Sequence, residues 1–232
     1  MSIYAIADLH LSFGANKPMD IFGDNWEGHS EKIKQDWISK VNKDDLVLLP
    51  GDFSWAMYLK DTNLDFEYLI SLPGKKLMLK GNHDYWWTTL ASMRKYLQEN
   101  DFENIDFLYN NSYEYGDYII CGTRGWTNMD NEEDRKVLKR ERLRLQLSLE
   151  DGIKKYGTDK KIIVCMHYPP FNNIHDEEYN FVGLMKKYNV EKCIYGHLHG
   201  PSHKEAKEGM IDGIEFKLVS CDYTDFKLIK LT

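Results

Sequence analysis

The sequence predicts an α/β layered fold. Two observations lead there: apolar runs of strand length alternate with helix-period segments through the first half, and short strand-like runs dominate the second. A third observation concerns function. Metal-capable residues fall repeatedly just after those runs.

Residues 3–7 read as a strand. Ile33, Trp37, Ile38 and Val41 then recur at helical spacing behind Ser30, an expected N-cap. Leu46 to Leu49 form a second strand stopped by Pro50-Gly51, and Leu64, Tyr68 and Leu69 mark a second helix. Lys76 to Leu79 read as a third strand, and Leu90, Met93 and Leu97 as a third helix. This β-α-β-α-β-α order implies a largely buried sheet. Further strand-like runs lie at 105–109, 118–122, 161–166, 192–196, 214–220 and 226–231. Between them, 130–153 reads as a helix. Leu138, Leu145, Leu149 and Ile153 form a stripe, and acids at 130–134 precede bases at 135–144, as a helix dipole favours. Six basic and five acidic residues at 130–144 make this a solvated face rather than a polybasic arm. No repeat or linker-like stretch divides the chain, so residues 1–232 are expected to form a single domain.

Composition narrows the function. The chain has 232 residues, 30 Lys and Arg against 37 Asp and Glu, and a formal net charge of −7. An acidic protein is poorly suited to coating nucleic acid, although metal ions can supply local positive charge for phosphate. The longest clearly apolar run, Ile162 to Met166, is far short of the roughly 20 residues that span a bilayer. The N-terminus lacks a basic, apolar leader. Cys121, Cys165, Cys193 and Cys221 are widely spaced, without Cys-x-x-Cys, and are expected to be buried free thiols in a cytoplasmic protein.

Five expected strands run into Asp8-Leu9-His10, Gly51-Asp52, Gly81-Asn82-His83-Asp84, His167, and Gly196-His197-Leu198-His199. Ligands of open α/β sheets bind outside the carboxyl ends of strands, and five of the eight histidines lie there. Carboxylate and imidazole donors suit Mn, Fe, Zn or Co, and a carboxylate can bridge two ions. A lone His167 is more often a core histidine, and a lone Asp8 or Asp52 a turn residue or cap. It is the ordered set that argues for ligands. His29, His175 and His203 match no motif and are expected in loops or on the surface. P-loop, Gly-x-Ser-x-Gly and His-Glu-x-x-His signatures are absent.

These five motifs, in this order from residue 8 to 199, resemble the calcineurin-like metallophosphoesterases. The resemblance implies a two-sheet β-sandwich flanked by helices (α/β/β/α), with metals at one edge. It implies that Asp8, His10 and His199 hold one divalent ion, that Asn82, His167 and His197 complete a second site, and that Asp52 bridges. Manganese is the favoured metal. A metal-bound hydroxide would attack a phosphodiester or small organophosphate. His83 would face the substrate as a catalytic residue, with Asp84 orienting it. The chain departs from the protein Ser/Thr phosphatases, whose second motif continues into Asp-Arg-Gly and whose third ends in Glu. Here Gly51-Asp52 continues Phe53-Ser54-Trp55-Ala56, and the third motif ends in Asp84. The segments 17–23, 51–56 and 85–87 are similar to a bacterial branch of phosphohydrolases without an assigned substrate.

Two of Trp26, Trp55, Trp86, Trp87 and Trp126 are expected to line the site, Trp55 and Trp86 being the choices for substrate contact. Arg124 follows a strand and could clamp a phosphate or serve a structural ion pair. Residues 12–30 are expected to form a lid or rim. The reading is a phosphoesterase acting on a small phosphorylated substrate, with no membrane partner. Its rivals are a nuclease, disfavoured by the acidic balance, and a non-catalytic metal-binding scaffold, disfavoured because every ligand of the set is present.

Overall fold

The computed structural model describes residues 1–15, 17–171 and 178–232. Among them the strands form two sheets. The first has the order β11-β1-β2-β3-β4, from Ile3–Ala5 (β1), Leu46–Pro50 (β2), Lys75–Leu79 (β3), Ile105–Phe107 (β4) and Ile229–Lys230 (β11). β1 to β4 run parallel and β11 is antiparallel. The second sheet joins Tyr113–Tyr115 (β5), Tyr118–Thr123 (β6), Lys161–Met166 (β7), Val190–Tyr195 (β8), Gly209–Ile211 (β9) and Ile214–Leu218 (β10) in the order β5-β6-β7-β8-β10-β9. Its four inner strands are parallel and its two edges antiparallel.

Strand alternation sorts the apolar residues into three layers. Ile3, Ala5, Leu46, Leu48, Leu77 and Leu79 face Ile120, Ile163, Cys165 and Ile194 of the other sheet. The intervening Tyr4, Val47, Leu49 and Met78 pack outward against the helices His29–Lys40 (α1), Asn63–Ile70 (α2) and Leu90–Glu99 (α3). Ile119, Cys121, Val164 and Cys193 do the same beneath Glu132–Tyr156 (α4) and Phe181–Lys187 (α5). Both faces of each sheet are covered, which explains why its strands read as continuous apolar runs. The fold is α/β, two sheets flanked by helices.

Several boundaries differ from the sequence expectation. α1 begins at His29 with Gly28 as its N-cap, so Ser30 lies inside the helix, and Ile38 is exposed. α4 is a helix as its stripe implied: Leu138, Leu145 and Leu149 are buried, while Leu143 and Leu147 face solvent. Its cap is Asn131, whose side chain accepts the Asp134 N–H. The run at 226–231 supplies only the two-residue β11, and β5 and β9 were not foreseen. All four cysteines are free and buried. No helix of the described residues is long and apolar enough to cross a membrane.

Candidate metal centre

The carboxyl ends of β1, β2, β3, β7 and β8 bring the five motifs to one edge of the sandwich. Backbone hydrogen bonds zip the first two loops together: Asp8 N–H donates to the Gly51 carbonyl at 3.0 Å, His10 N–H to Asp52 at 2.9 Å, and Leu11 N–H to Phe53 at 2.9 Å. In the second sheet, Gly196 N–H donates to the His167 carbonyl at 3.1 Å and joins the loops after β7 and β8. Asp8, His10, Asp52 and His197 all have φ between 45° and 73°. The left-handed region is costly for residues with a Cβ, and such strain gathers where geometry serves function.

The motif glycines have a steric reason. A Cβ on Gly81 would lie 2.0 Å from Asp52 Oδ1, and one on Gly196 would lie 2.5 Å from Asp8 Oδ2. The carboxylates occupy the space a side chain would need.

The donor atoms converge. Asp8, His10 and His199 form one group able to hold a metal ion, and Asp8, Asp52 and His167 form another. His10 Nε2 is 3.4 Å from His199 Nε2 and 3.7 Å from Asp52 Oδ2. His167 Nε2 is 3.5 Å from Asp52 Oδ2 and 2.6 Å from Asn82 Oδ1, and His197 Nδ1 is 2.8 Å from the same Asn82 oxygen. All seven residues expected as ligands therefore meet in one place. His167 Nδ1–H donates to the Pro50 carbonyl at 3.0 Å, which fixes the tautomer and turns Nε2 to the cluster.

The charges fit a cation. Asp8 and Asp52 are buried, and Asp8 Oδ1 has no hydrogen-bond donor. Burial, reinforced by Asp52 and opposed by His199, raises the Asp8 carboxyl to about 7. Burial likewise raises Asp52. It also lowers His10, and takes His167 and His197 down to about 3, so these imidazoles are free bases at neutral pH, the form that binds metal. For His199 burial is outweighed by Asp8, Asp222 and Asp52, and the ring rises to about 9. A proton there stands where a metal ion would compensate the acids.

His83 is half-buried beside the cluster. Its backbone N–H donates to Asp52 Oδ1 at 2.7 Å, and its Nδ1 has no partner among the described residues. Asp84 does not orient it. The Asp84 carboxylate, fully buried, instead accepts N–H donors from Gly81 (2.7 Å), Asp52 (2.9 Å), Phe53 (2.9 Å) and Ser54 (3.4 Å), and from the Trp86 indole (3.0 Å). It pins the Gly51-Asp52 loop to the Gly81-Asn82 loop. The catalytic role expected for Asp84 is thereby corrected to a positioning one.

The tryptophans also sort themselves. Trp55 stacks on His10 with ring centroids 4.8 Å apart and lies 4.5 Å from His83, while Lys17 Nζ sits over the indole, 3.1 Å from its centroid. Trp26 backs His10 and His199 at 6.0 and 5.8 Å. Trp86, expected at the substrate, is buried among Phe53, Phe66 and Phe107 and serves Asp84 instead. Trp87 packs on Phe107, and Trp126 lies 5.0 Å from Tyr168. Within 17–30, two 3-10 turns, Asp20–Phe22 and Asp24–Trp26, precede α1, and the second carries Trp26 against His10 and His199. Asn16 and His175 lie outside the described residues. His29 is not a surface residue. It opens α1, donates to the Leu9 carbonyl at 3.0 Å and packs on Trp26.

Sequence reasoning missed Asp222. It follows β10, is buried, and holds His199 Nδ1 at 2.8 Å, with His203 Nε2 3.1 Å from its other oxygen. A carboxylate behind a ligating imidazole raises its basicity and fixes its ring. The only sequence signal was an acid just after a strand-like run.

Similarity to known proteins agrees with this geometry. Three solved structures match almost end to end. A protein of unknown function from Aquifex aeolicus is 18% identical with a TM-score of 0.52, the match covering 99% of this chain and 95% of that one. A phosphopantetheinyl hydrolase from Mycobacterium tuberculosis is 14% identical with a TM-score of 0.57, covering 99% and 95%. A protein from Thermus thermophilus is 14% identical with a TM-score of 0.59, covering 99% and 97%. At these identities the likeness is one of fold. Among curated proteins none matches the chain significantly. The calcineurin-like phosphoesterase profile matches residues 1–201, which span every one of the five loops, and the chain belongs to that family.

Proposed function

We propose that the chain hydrolyses a phosphodiester or a small organophosphate with the help of two divalent ions. Asp8, His10 and His199 would hold one ion, Asn82, His167 and His197 the other, and Asp52 would lie between them. The observation that carries the reading is the buried, donor-free Asp8 Oδ1 at the meeting point of two ligand groups that share Asp8. A buried carboxylate oxygen without a hydrogen-bond donor is costly, and a bound metal would remove that cost. The chemistry such ions supply is Lewis acidity, which acidifies water and neutralises phosphoryl oxygens. Manganese is the first choice, with iron, zinc and cobalt as alternatives.

The protein's own residues do the rest. Asp84 and the glycines hold Asp52 in its left-handed pose. The hydrogen bond from the His83 backbone to Asp52 sets that imidazole beside the cluster, half-exposed; burial lowers its pKa and Asp52 opposes the shift, and in its protonated form it can give a proton to a leaving oxygen. Trp55 limits its travel. The four buried thiols support a reducing, cytoplasmic setting.

The test is to strip the protein with chelator, restore Mn²⁺, and compare bis-p-nitrophenyl phosphate with p-nitrophenyl phosphate. Metal-dependent cleavage that is lost in Asp52→Asn supports the reading, and preference for the diester or the monoester assigns the ester class. A chelated enzyme as active as the Mn²⁺ form would sink it.

A further inference from the structure

Beside the metal centre lies a cavity of about 440 Å³ whose charged wall is almost entirely cationic. Lys80 enters it from the segment two residues before Asn82. Arg124 enters from the end of β6, where its backbone carbonyl accepts the His167 and Tyr168 N–H groups. Arg140 and Arg144 enter from α4, one turn apart. Against these four cations the cavity offers one carboxylate, Glu141, which is fully buried.

Glu141 has partners enough without all of them. Its Oε2 accepts the Thr123 hydroxyl at 2.7 Å and its Oε1 accepts Arg144 at 2.6 Å. Arg124 and Arg140 stand off at 3.8 Å each. Arg124 Nε is buried without an acceptor. Lys80 makes no hydrogen bond or ion pair among the described residues. Three surplus positive charges around a partly enclosed volume repel one another, screened in part by solvent at Arg140, whose side chain is 55% exposed; an anion would relieve that repulsion, and guanidinium forks match phosphate oxygens.

We propose that this cavity is an anion subsite that receives a second phosphate of the substrate. The chain's preferred substrates are then esters carrying two phosphate groups. This rests on the phosphoester-hydrolase reading above, and deepens it by naming the substrate class. The placement suits it: Lys80 and Arg124 are bonded in sequence or through the backbone to segments that carry Asn82 and His167, so the two anion-binding places are neighbours on the same loops.

Two measurements test it. The first is calorimetric titration of inorganic phosphate into Asp52→Asn, in which the metal centre is disabled. One equivalent is expected to bind, and Lys80→Met or Arg140→Met added to that variant should weaken binding by about tenfold. Lys80 makes no hydrogen bond or close ion pair among the described residues, so its variant is expected to fold, with circular dichroism as the control. The second uses the Mn²⁺ enzyme and bis-p-nitrophenyl phosphate hydrolysis, comparing adenosine 3′,5′-bisphosphate with adenosine 5′-monophosphate as competitors. The bisphosphate should inhibit about tenfold more tightly, an advantage that disappears in Lys80→Met and Arg140→Met. No phosphate binding, or binding indifferent to both substitutions, overturns the subsite. Phosphate binding without a bisphosphate advantage means that the cavity holds a free anion, and overturns the claim about substrate class. If no metal supports hydrolysis, the phosphoesterase reading fails by itself, and the phosphate titration still decides the cavity.

Discussion

The candidate metal centre and the cationic cavity are two clusters of charge whose imbalance has opposite sign. In the first, buried Asp8 and Asp52 face imidazoles kept neutral by burial, apart from His199. In the second, four cations face the single buried Glu141. The difference lies in how each is built. The candidate metal centre is made of strand ends, with the loops that carry Asp8 and His10, Asp52, and His197 bent into the left-handed region that side chains resist, and with glycines and Asp84 locking them. The cavity is made of long side chains from α4 and from two loops, with no backbone device holding them. A rigid site suits an ion with fixed donor geometry, and a pliable one suits an anionic group that reaches in.

Breaking the rigid site has the largest effect. Asp52→Asn keeps an oxygen for the His83 N–H but removes the carboxylate charge of the Asp8, Asp52 and His167 group, the one proposed to lie between the two ions. Metal-dependent turnover is expected to fall by on the order of a thousandfold. The metal-free protein should melt no lower than the wild type, because Asp52 raises the carboxyls of Asp8 and Asp84 by repulsion. Steady-state kinetics and calorimetric melting check the two halves. A melting point several degrees lower would mean that Asp52 is structural.

Gly81→Ala attacks the backbone device alone. Its new Cβ would meet Asp52 Oδ1 at 2.0 Å and Asp52 N at 2.3 Å, so the carboxylate must move. A loss of about a hundredfold in metal affinity is expected, measured by titration with Mn²⁺. Unchanged affinity would show that the loop relaxes more easily than its close contacts imply.

The same contrast explains what the sequence disclosed. Short motifs at strand ends were legible because loop geometry forces donors and glycines to be sequence neighbours: Gly81-Asn82-His83-Asp84 carries the glycine that leaves room for Asp52, an amide oxygen that meets His167 and His197, the histidine proposed to face substrate, and the anchoring carboxylate in four positions. The layered fold was legible for a similar reason, since strands covered on both faces leave unbroken apolar runs such as Leu46 to Leu49. Contacts made between side chains far apart in sequence leave no such trace. Asp222 meets His199 from 23 residues away, and Arg124 meets Glu141 from β6 to α4. Trp86 and Asp84 were misassigned for one reason: a residue type capable of a role at the right place in the chain pointed inward instead.

Asp222→Asn tests one of those hidden contacts. The amide oxygen can still accept from His199 Nδ1, but the charge that makes the imidazole a stronger donor is gone. Affinity at the Asp8, His10 and His199 group is expected to drop by about tenfold, less than for Gly81→Ala, with folding intact. Equal affinity in the two proteins would reduce Asp222 to a ring anchor.

The smallest effect concerns a buried cation outside both clusters. Lys76 on β3 is 3% exposed, and its ammonium donates to the Leu72 carbonyl. Burial lowers its pKa to about 8. An unfolded chain holds that proton to about 10.4, so between pH 8 and 10 the unfolded state binds more protons and stability should rise with pH on this account. Below pH 8 both states are protonated, and the fold carries the full cost of the buried charge. Lys76→Met should therefore stabilise the protein by about 1–2 kcal/mol at pH 7 and remove the rise above pH 8, as read from urea unfolding at several pH values. A rise that survives the substitution would place the titrating group elsewhere. Its loss would sharpen the contrast with the cavity: a solitary buried cation weakens its hold on a proton, whereas a cluster of cations around an open volume makes room for an anion.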